Sequence, residues 1–89
     1  MKKLTKENNG LLIGALMFSY YQVTKEDLCS TGREAYSYLG SFIKKELEPF
    51  LNENFKVEVE GYGIFSFQEK DYNGRVYNFW ELDAMEEVR

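Results

Sequence analysis

Apolar and polar residues alternate through the last third of the chain, in "VEVEGYGIFSFQEKDYNGRVYNFWEL" from Val57 to Leu82. A period of two is typical of β-strands whose two faces meet different surroundings. The dipeptide Asn73-Gly74 is the strongest short signal for a two-residue hairpin turn. The pattern predicts three antiparallel strands over about residues 55–60, 64–72 and 75–82.

The register of these strands follows from the turns. A turn at Asn73-Gly74 pairs Tyr72 with Arg75, and counting outward pairs Phe67 with Trp80 and Phe65 with Leu82. At the first turn, a two-residue loop (Gly61-Tyr62) and a three-residue loop (61–63) are the alternatives. The longer loop pairs Val59 with Phe65 and Val57 with Phe67, and it is preferred because a slip by one residue would turn half of the apolar side chains to water. It gathers one apolar face, formed by Phe55, Val57, Val59, Phe65, Phe67, Trp80 and Leu82.

Two helices are predicted ahead of the strands. The first spans about residues 5–22 and is apolar nearly all round from Leu11 to Phe18, which predicts burial on most sides. Gly10 and Gly14 share one of its faces and predict the close approach of another helix or of the sheet, with a dimerising helix face as the alternative. A short helical turn is expected after Thr24.

The second helix is predicted over about residues 32–48. Thr31 and Glu34 have the spacing of an N-terminal capping box, and Pro49 ends or kinks the helix at Glu48. Its apolar side chains recur at helical spacing; they are Ala35, Tyr36, Leu39, Phe42, Ile43 and Leu47. The fold class is therefore α+β, a single domain of residues 1–89 with two N-terminal helices packed on one face of a three-stranded antiparallel β-meander.

The opposite face of that sheet is the predicted contact surface. Aromatic and acidic side chains on a flat, rigid sheet have the composition of protein-interface hot spots. The acidic C-terminal segment adds Asp83 to this surface. The predicted partner-binding residues are Glu58, Glu60, Ser66, Gln68, Tyr77, Phe79, Glu81 and Asp83.

The composition excludes several kinds of catalytic and metal-binding site. The chain of 89 residues has no histidine and one cysteine, Cys29, so no Ser-His or Cys-His nucleophile pair, thiolate cage or internal disulfide is available. Neither a phosphate-binding loop nor a dinucleotide fingerprint is present, and we expect no cofactor, no metal and no enzymatic activity. Glu58 and Glu60 form a carboxylate pair, read as a solvated face rather than a catalytic one, and Cys29 is expected to be a small buried apolar residue. A reducing cytosol is the simplest compartment for such a chain.

The charge is unevenly distributed. The net charge is -4, and all of it lies in residues 54–89, since basic and acidic residues balance in residues 1–53. This argues against a nucleic-acid binder that works by neutralising phosphates and suits a basic protein partner through electrostatic steering. The N-terminal lysines and the apolar run that follows have the outline of a secretory signal. Glu7 and the two tyrosines that end the run favour a buried helix instead, and no membrane association is expected.

The segment "VEVEGYGIFSF" resembles the β-hairpin of the histone-like DNA-bending proteins of the HU/IHF class. The family pattern is matched at Val57, Val59, Gly61, Tyr62, Gly63, Phe65 and Phe67. The order of a helix, "TKEDL" and a long helix upstream is also similar. The resemblance implies nucleic-acid binding, but the family's basic arms and C-terminal basic helix are replaced here by the acidic "QEKDYNGRVYNFWEL".

The sequence thus predicts a small, acidic, non-catalytic protein-interaction module, in the style of a phage or mobile-element inhibitor of a basic nucleic-acid-processing host protein. An HU-like nucleic-acid-binding protein is one alternative. A small oligomeric subunit that uses the Gly10/Gly14 helix or a free sheet edge is the other.

Overall fold

Two helices and a four-stranded sheet form the computed structural model, which describes residues 2–25 and 29–86. The α+β class predicted from the sequence is confirmed, but the sheet has four strands rather than three. The turn expected after Thr24 falls largely on residues 26–28, outside the described residues. The elements are β1 (Lys3–Leu4), α1 (Lys6–Lys25), α2 (Ser30–Leu47), a 3-10 turn (Glu48–Phe50), β2 (Lys56–Val59), β3 (Gly63–Tyr72) and β4 (Arg75–Met85).

The additional strand is β1, at the N-terminal end of the described chain. It runs parallel to β2, with Lys3 opposite Glu58 and Leu4 opposite Val59, and the sheet order is β1-β2-β3-β4. The backbone N–H of Glu60 donates to the carbonyl oxygen of Leu4 at 2.9 Å, and the Leu4 side chain is fully buried. A two-residue strand has no period, so the sequence pattern could not reveal it.

The β3–β4 hairpin has the predicted turn and register. Asn73 and Gly74 both have positive φ, 55° and 85°, as a type I′ turn requires. Tyr72 pairs with Arg75, Phe67 with Trp80 and Phe65 with Leu82. Beyond these pairs β4 continues past the predicted end at residue 82, and a bulge makes Asp83 the extra residue between Leu82 and Ala84.

The β2–β3 turn differs from the prediction. The loop has three residues, but they are residues 60–62 rather than 61–63, because Gly63 already lies in β3. Val59 pairs with Gly63 and Val57 with Phe65, so the predicted pairs of Val59 with Phe65 and Val57 with Phe67 are wrong by two positions. A shift of two leaves every side chain on its predicted face.

The core lies between the helices and the predicted apolar face of the sheet. Tyr20 of α1 meets the ring of Phe65 edge-on at 5.4 Å, and Phe67 packs on Trp80 with ring centroids 5.1 Å apart. Phe55 is an exception to the predicted face, because its backbone has φ 56° and its ring is exposed. The buried cluster consists of Leu4, Ile13, Leu16, Met17, Ile43, Leu47, Val57, Val59, Phe65 and Trp80.

Helix α2 lies along β4, the last strand in the sheet order. The indole N–H of Trp80 donates to the carbonyl oxygen of Gly40 at 3.1 Å, and the backbone N–H of Asn78 donates to Ser37 Oγ at 3.0 Å. A Cβ at Gly40 would lie only 3.3 Å from both the Asn78 carbonyl oxygen and the Phe67 ring. Glycine at this position therefore lets the helix backbone approach the strand.

The ends of the helices depart from the predicted capping. Helix α2 begins at Ser30, and its N-cap is Cys29, which makes no side-chain capping bond. The capping box predicted at Thr31 and Glu34 is therefore wrong, and Cys29 is exposed rather than buried. The C-terminal end is as predicted, since α2 stops at Leu47 and Pro49 lies in the 3-10 turn.

Helix α1 has an irregular first turn. Asn9 has non-helical backbone angles, φ -132° and ψ 26°, and its side-chain oxygen accepts from the Thr5 N–H at 3.2 Å. The regular part of α1 therefore begins at about Gly10.

Candidate protein-interaction surface

The outer face of the sheet was the predicted contact surface, and two of its central members are buried. Tyr77 is 4% exposed and Phe79 is 2% exposed, so the expectation that they face solvent is wrong. Their rings stack at 6.1 Å with an interplanar angle of 7°, and the Tyr72 ring meets both edge-on at 5.9 and 6.3 Å. The Arg33 guanidinium lies 4.8 Å from the Tyr72 ring centroid and 5.7 Å from that of Tyr77. Arg33 reaches this face because its helix runs along the edge of β4.

The polar residues at the centre of the same face bond to each other. Ser66 is 1% exposed. Its hydroxyl donates to Asp83 Oδ1 at 2.8 Å and accepts from Gln68 Nε2 at 2.7 Å. Ser66 and Gln68 therefore support the sheet, and a partner could not reach Ser66 without opening this network.

Lysines accompany the carboxylates of the outer face. In three ion pairs the distance is measured from the lysine Nζ to a carboxylate oxygen. It is 3.7 Å from Lys3 to Glu58 Oε2, 3.1 Å from Lys56 to Asp83 Oδ2 and 2.5 Å from Lys70 to Glu81 Oε1. The hydrogen bond and charge of Glu81 raise the pKa of Lys70 above its ordinary value. Exposed pairs of this kind add little stability, but they offset the negative charge that was expected to attract a basic partner.

A smaller acidic region remains at the end of the sheet near the β2–β3 turn. There, a shallow recess of about 230 Å³ is lined by Glu58, Ile64, Glu86 and the exposed side chain of Met85. Lys3 Nζ lies 3.7 Å from the Glu58 carboxylate and 4.0 Å from that of Glu86, so these two carboxylates share one lysine. Glu60 follows in the β2–β3 turn. The Glu86 carboxylate accepts the backbone N–H of Gly61, and Glu60 accepts that of Lys6 at 3.3 Å. Of the predicted contact residues, Glu58 therefore lies beside an accessible apolar centre, and Glu60 lies at the same end of the sheet.

The outward side of α1 carries a larger apolar surface. Leu11, Gly14, Phe18 and Tyr21 follow one another at intervals of three, four and three residues, so they form one stripe on the helix. Leu11 is 90% exposed and Phe18 is 54% exposed, and Tyr21 is also exposed. The expectation that this helix is buried on most sides is therefore wrong.

Helix α2 continues this surface. Tyr38 is 78% exposed and Phe42 is 58% exposed, one turn apart on the side of α2 opposite Gly40. Phe42 is thus outside the core, contrary to its predicted place on the apolar face of the helix. The rings of Phe18 and Tyr36 lie 6.2 Å apart, so the two helices adjoin at this level. The outer helical face is defined here by Leu11, Gly14, Phe18, Tyr21, Tyr38 and Phe42.

The glycines of α1 open toward solvent. A Cβ built on Gly10 or Gly14 would meet no atom within 4 Å. The expectation that these glycines admit the second helix or the sheet is therefore wrong for the described part of this chain. The sequence signal that could have identified the outer helical face was the three-four-three spacing, which coexists with a second apolar stripe turned to the core.

A groove on the other side of α2 contains two aromatic rings and a lysine. Lys44 Nζ lies 4.7 Å from the Phe55 ring centroid and 5.9 Å from that of Phe67. The groove encloses about 650 Å³ and is also lined by Glu48 and Glu69. Two lysines, Lys44 and Lys45, and two glutamates line it, so the groove favours no single ligand charge.

Comparisons with protein-family models, curated proteins and solved structures find no match. The resemblance to the HU/IHF class stays a prediction. Among residues 2–25 and 29–86, no group of three histidine, cysteine or acidic side chains is placed to hold a metal ion. Neither helix within those ranges combines the length and the apolar character needed to cross a membrane.

Proposed function

We propose that the protein is a small, non-catalytic protein-interaction module that binds another protein chain through its outer helical face. The observation that carries the proposal is the exposure of Leu11, at 90%, at the N-terminal end of an apolar stripe that continues through Phe18 and Tyr21. Burying apolar surface stabilises a complex by roughly 25 cal/mol per Å², and contiguous exposed apolar surface of this kind marks interaction sites.

The composition of this face supports the proposal. Its side chains are leucine, phenylalanine and tyrosine, and aromatic residues are enriched among the anchors of protein interfaces. These side chains lie on two regular helices, so the backbone loses little conformational freedom when a partner binds. The outer face of the sheet offers less, since Tyr77 and Phe79 are already buried and Glu58, Glu81 and Asp83 have lysine partners.

Capture from a lysate of the native host tests the proposal. We expect the natural partner to be retained by the wild-type protein and lost with the double variant Leu11→Glu, Phe42→Glu. Val76→Glu is the matched control, because Val76 is 59% exposed and lies near the tip of the β3–β4 hairpin. Equal capture by the double variant and the control would rule out the outer helical face as the binding surface.

The acidic end of the sheet supports a second candidate function, the docking of a basic protein. This is the surface that an inhibitor of a nucleic-acid-processing host protein would use, with Glu58 and Glu86 beside Met85 and Glu60 in the adjoining β2–β3 turn. The expected signature is binding that weakens steeply with added salt and with Glu60→Lys, while Glu46→Lys on α2 has no effect. Binding that is insensitive to both salt and Glu60→Lys would exclude this docking mode.

A further inference from the structure

We propose, resting on the proposed function, that the chain seated on the outer helical face is a second copy of this protein. The two α1 helices pack antiparallel about a two-fold axis. The axis passes close to Gly14 and Ala15.

The order of side chains along α1 is self-complementary. The midpoint of Leu11 and Phe18 falls between Gly14 and Ala15. In a two-fold interface, residue i contacts residue j of the partner, and j contacts i. An antiparallel α1 pair centred there therefore places Leu11 of each copy against Phe18 of the other, and it makes this contact twice.

Gly14 provides the space that such a crossing needs. Helix axes normally lie 8–10 Å apart, depending on the side chains at the contact. Gly14 has no side chain, and the position of its Cβ is open on all sides, so the two backbones can approach closely at the axis. The regular part of α1 begins at about Gly10, beyond the irregular Asn9, and therefore includes every α1 residue of the outer helical face.

The area of the outer helical face suits a dimer. The outer helical face has five side chains. With their exposed fractions and about 150–250 Å² for a fully exposed aromatic side chain, they offer about 600 Å² on each copy. A standard interface buries about 800 Å² on each partner. Tyr38 and Phe42 extend the contact beyond the α1 pair, so two helical layers would face each other with the sheets outside.

The distribution of charge favours a second copy in this arrangement. The outer helical face has no charged member, and residues 1–53 sum to zero charge. The whole net charge of -4 belongs to residues 54–89, and the described part of that range, residues 54–86, carries the same -4 with 3 basic and 7 acidic residues. It contains β2, β3 and β4, on the far side of the core. Contact through the helices keeps the two acidic halves apart, whereas contact through the sheets would bring them together.

Sedimentation velocity over a range of protein concentrations tests the dimer. We expect the wild type and Val76→Glu to be dimers. Leu11→Glu and Phe18→Glu should weaken dimer affinity by on the order of 100-fold or more, because the two-fold axis buries the new charge twice. Circular dichroism should show unchanged folding, since both positions are exposed in the single chain. A wild type that sediments as a monomer at every concentration would overturn the proposal.

Disulfide cross-linking tests the orientation, with Cys29→Ser as the background. Gly14→Cys lies at the axis and should cross-link to itself. Leu11→Cys should not, because the two copies of residue 11 are about 10 Å apart along the helices, at 1.5 Å per residue, beyond the reach of a disulfide. A mixture of Leu11→Cys and Phe18→Cys should give the mixed cross-link. Self-cross-linking of Leu11→Cys as efficient as that of Gly14→Cys would indicate parallel helices and contradict the proposed axis.

The two proposals fail separately. A monomeric wild type whose host partner is lost with Leu11→Glu, Phe42→Glu would overturn the dimer and leave the proposed function in place. A monomeric wild type whose capture is insensitive to that double variant would overturn both.

Discussion

Replacement of Gly63 by alanine should destabilise the protein far more than replacement of Gly74, although both glycines have positive φ. Gly63 has φ 133° and Gly74 has φ 85°. A Cβ on Gly63 would lie 1.9 Å from the carbonyl oxygen of Ala84 in β4, whereas one on Gly74 would meet nothing within 4 Å. Gly74→Ala therefore measures the backbone strain, and Gly63→Ala adds a steric clash to a similar strain.

The magnitudes follow from the two environments. Positive φ costs an alanine about 1–2 kcal/mol. Alanine also restricts the unfolded chain, which stabilises the folded state by about 0.4–1 kcal/mol, so Gly74→Ala should cost between about 0 and 1.6 kcal/mol. An alanine at position 63 would force the end of β4 to move away. This movement breaks the 2.9 Å hydrogen bond from the Glu86 N–H to the Tyr62 carbonyl oxygen and weakens the neighbouring hydrogen bonds, each of which contributes about 1 kcal/mol. We expect Gly63→Ala to cost about 3–5 kcal/mol, a large part of the 5–15 kcal/mol typical of a small domain.

Urea unfolding followed by tryptophan fluorescence measures this difference. Trp80 is the single tryptophan and is fully buried, so it reports loss of the core. With a slope of about 1–3 kcal/mol per M urea, the midpoint of Gly63→Ala should fall at least about 0.5 M further than that of Gly74→Ala. Equal midpoints for the two variants would refute the argument that β4 packs against Gly63.

Three further predictions concern the outer face of the sheet. Phe79→Ala should cost about 3–5 kcal/mol in urea unfolding, because Phe79 is buried; a cost below 1 kcal/mol would mean that its ring is solvated. The pKa of Lys70, followed by NMR, should lie above its ordinary value because of the hydrogen bond and charge of Glu81, and it should return to that value in Glu81→Gln. A lysine whose pKa is higher in the folded than in the unfolded protein stabilises the fold at pH values below the unfolded pKa. The Lys70–Glu81 pair, which is exposed, contributes at most about 1 kcal/mol. This contribution should persist through neutral pH and be lost as the pH rises through the folded pKa of Lys70. In a gel-shift titration at low salt, no duplex DNA should bind at micromolar protein, since lysines on this face pair with carboxylates; a shift that disappears with added salt would support the HU-like alternative instead.

The alternation of side chains and the preferences of turns were sufficient to predict the three strands that follow one another in the sequence, β2, β3 and β4. The alternation of side chains and the Asn73-Gly74 turn determined which residues share a face, and the register of β3 with β4 followed by counting. The same rules misplaced the β2–β3 turn by one residue, because Gly63 is required inside the sheet by β4, not by the loop. They also missed β1, because Lys3 and Leu4 are recruited by a partner more than fifty residues away.

The sequence predicted which side chains share a face of the sheet better than it predicted which side chains are exposed to solvent. Parity places Tyr77 and Phe79 on the face opposite Trp80, but it does not reveal that Tyr72 packs against both rings or that Arg33 packs over the ring of Tyr77. In α1, apolar residues surround the helix, and a single domain has only enough core to bury one side of it. The three-four-three spacing marks one apolar stripe of α1 and a second stripe lies beside it, but which of the two stays outside depends on the position of the helix over the sheet, which spacing alone does not encode.

The placement of α2 beside β4 also bears on the solubility of the protein. Strand β4 is eleven residues long, and an open strand of that length is a template on which further chains can add and grow into fibres. The Asn78 N–H is already bonded to Ser37, and the helix occupies the place that an incoming strand would take. At the other end of the sheet, β1 has only two residues. Self-assembly by strand addition is thereby discouraged at both ends, and copies of this chain should meet through their helices without polymerising.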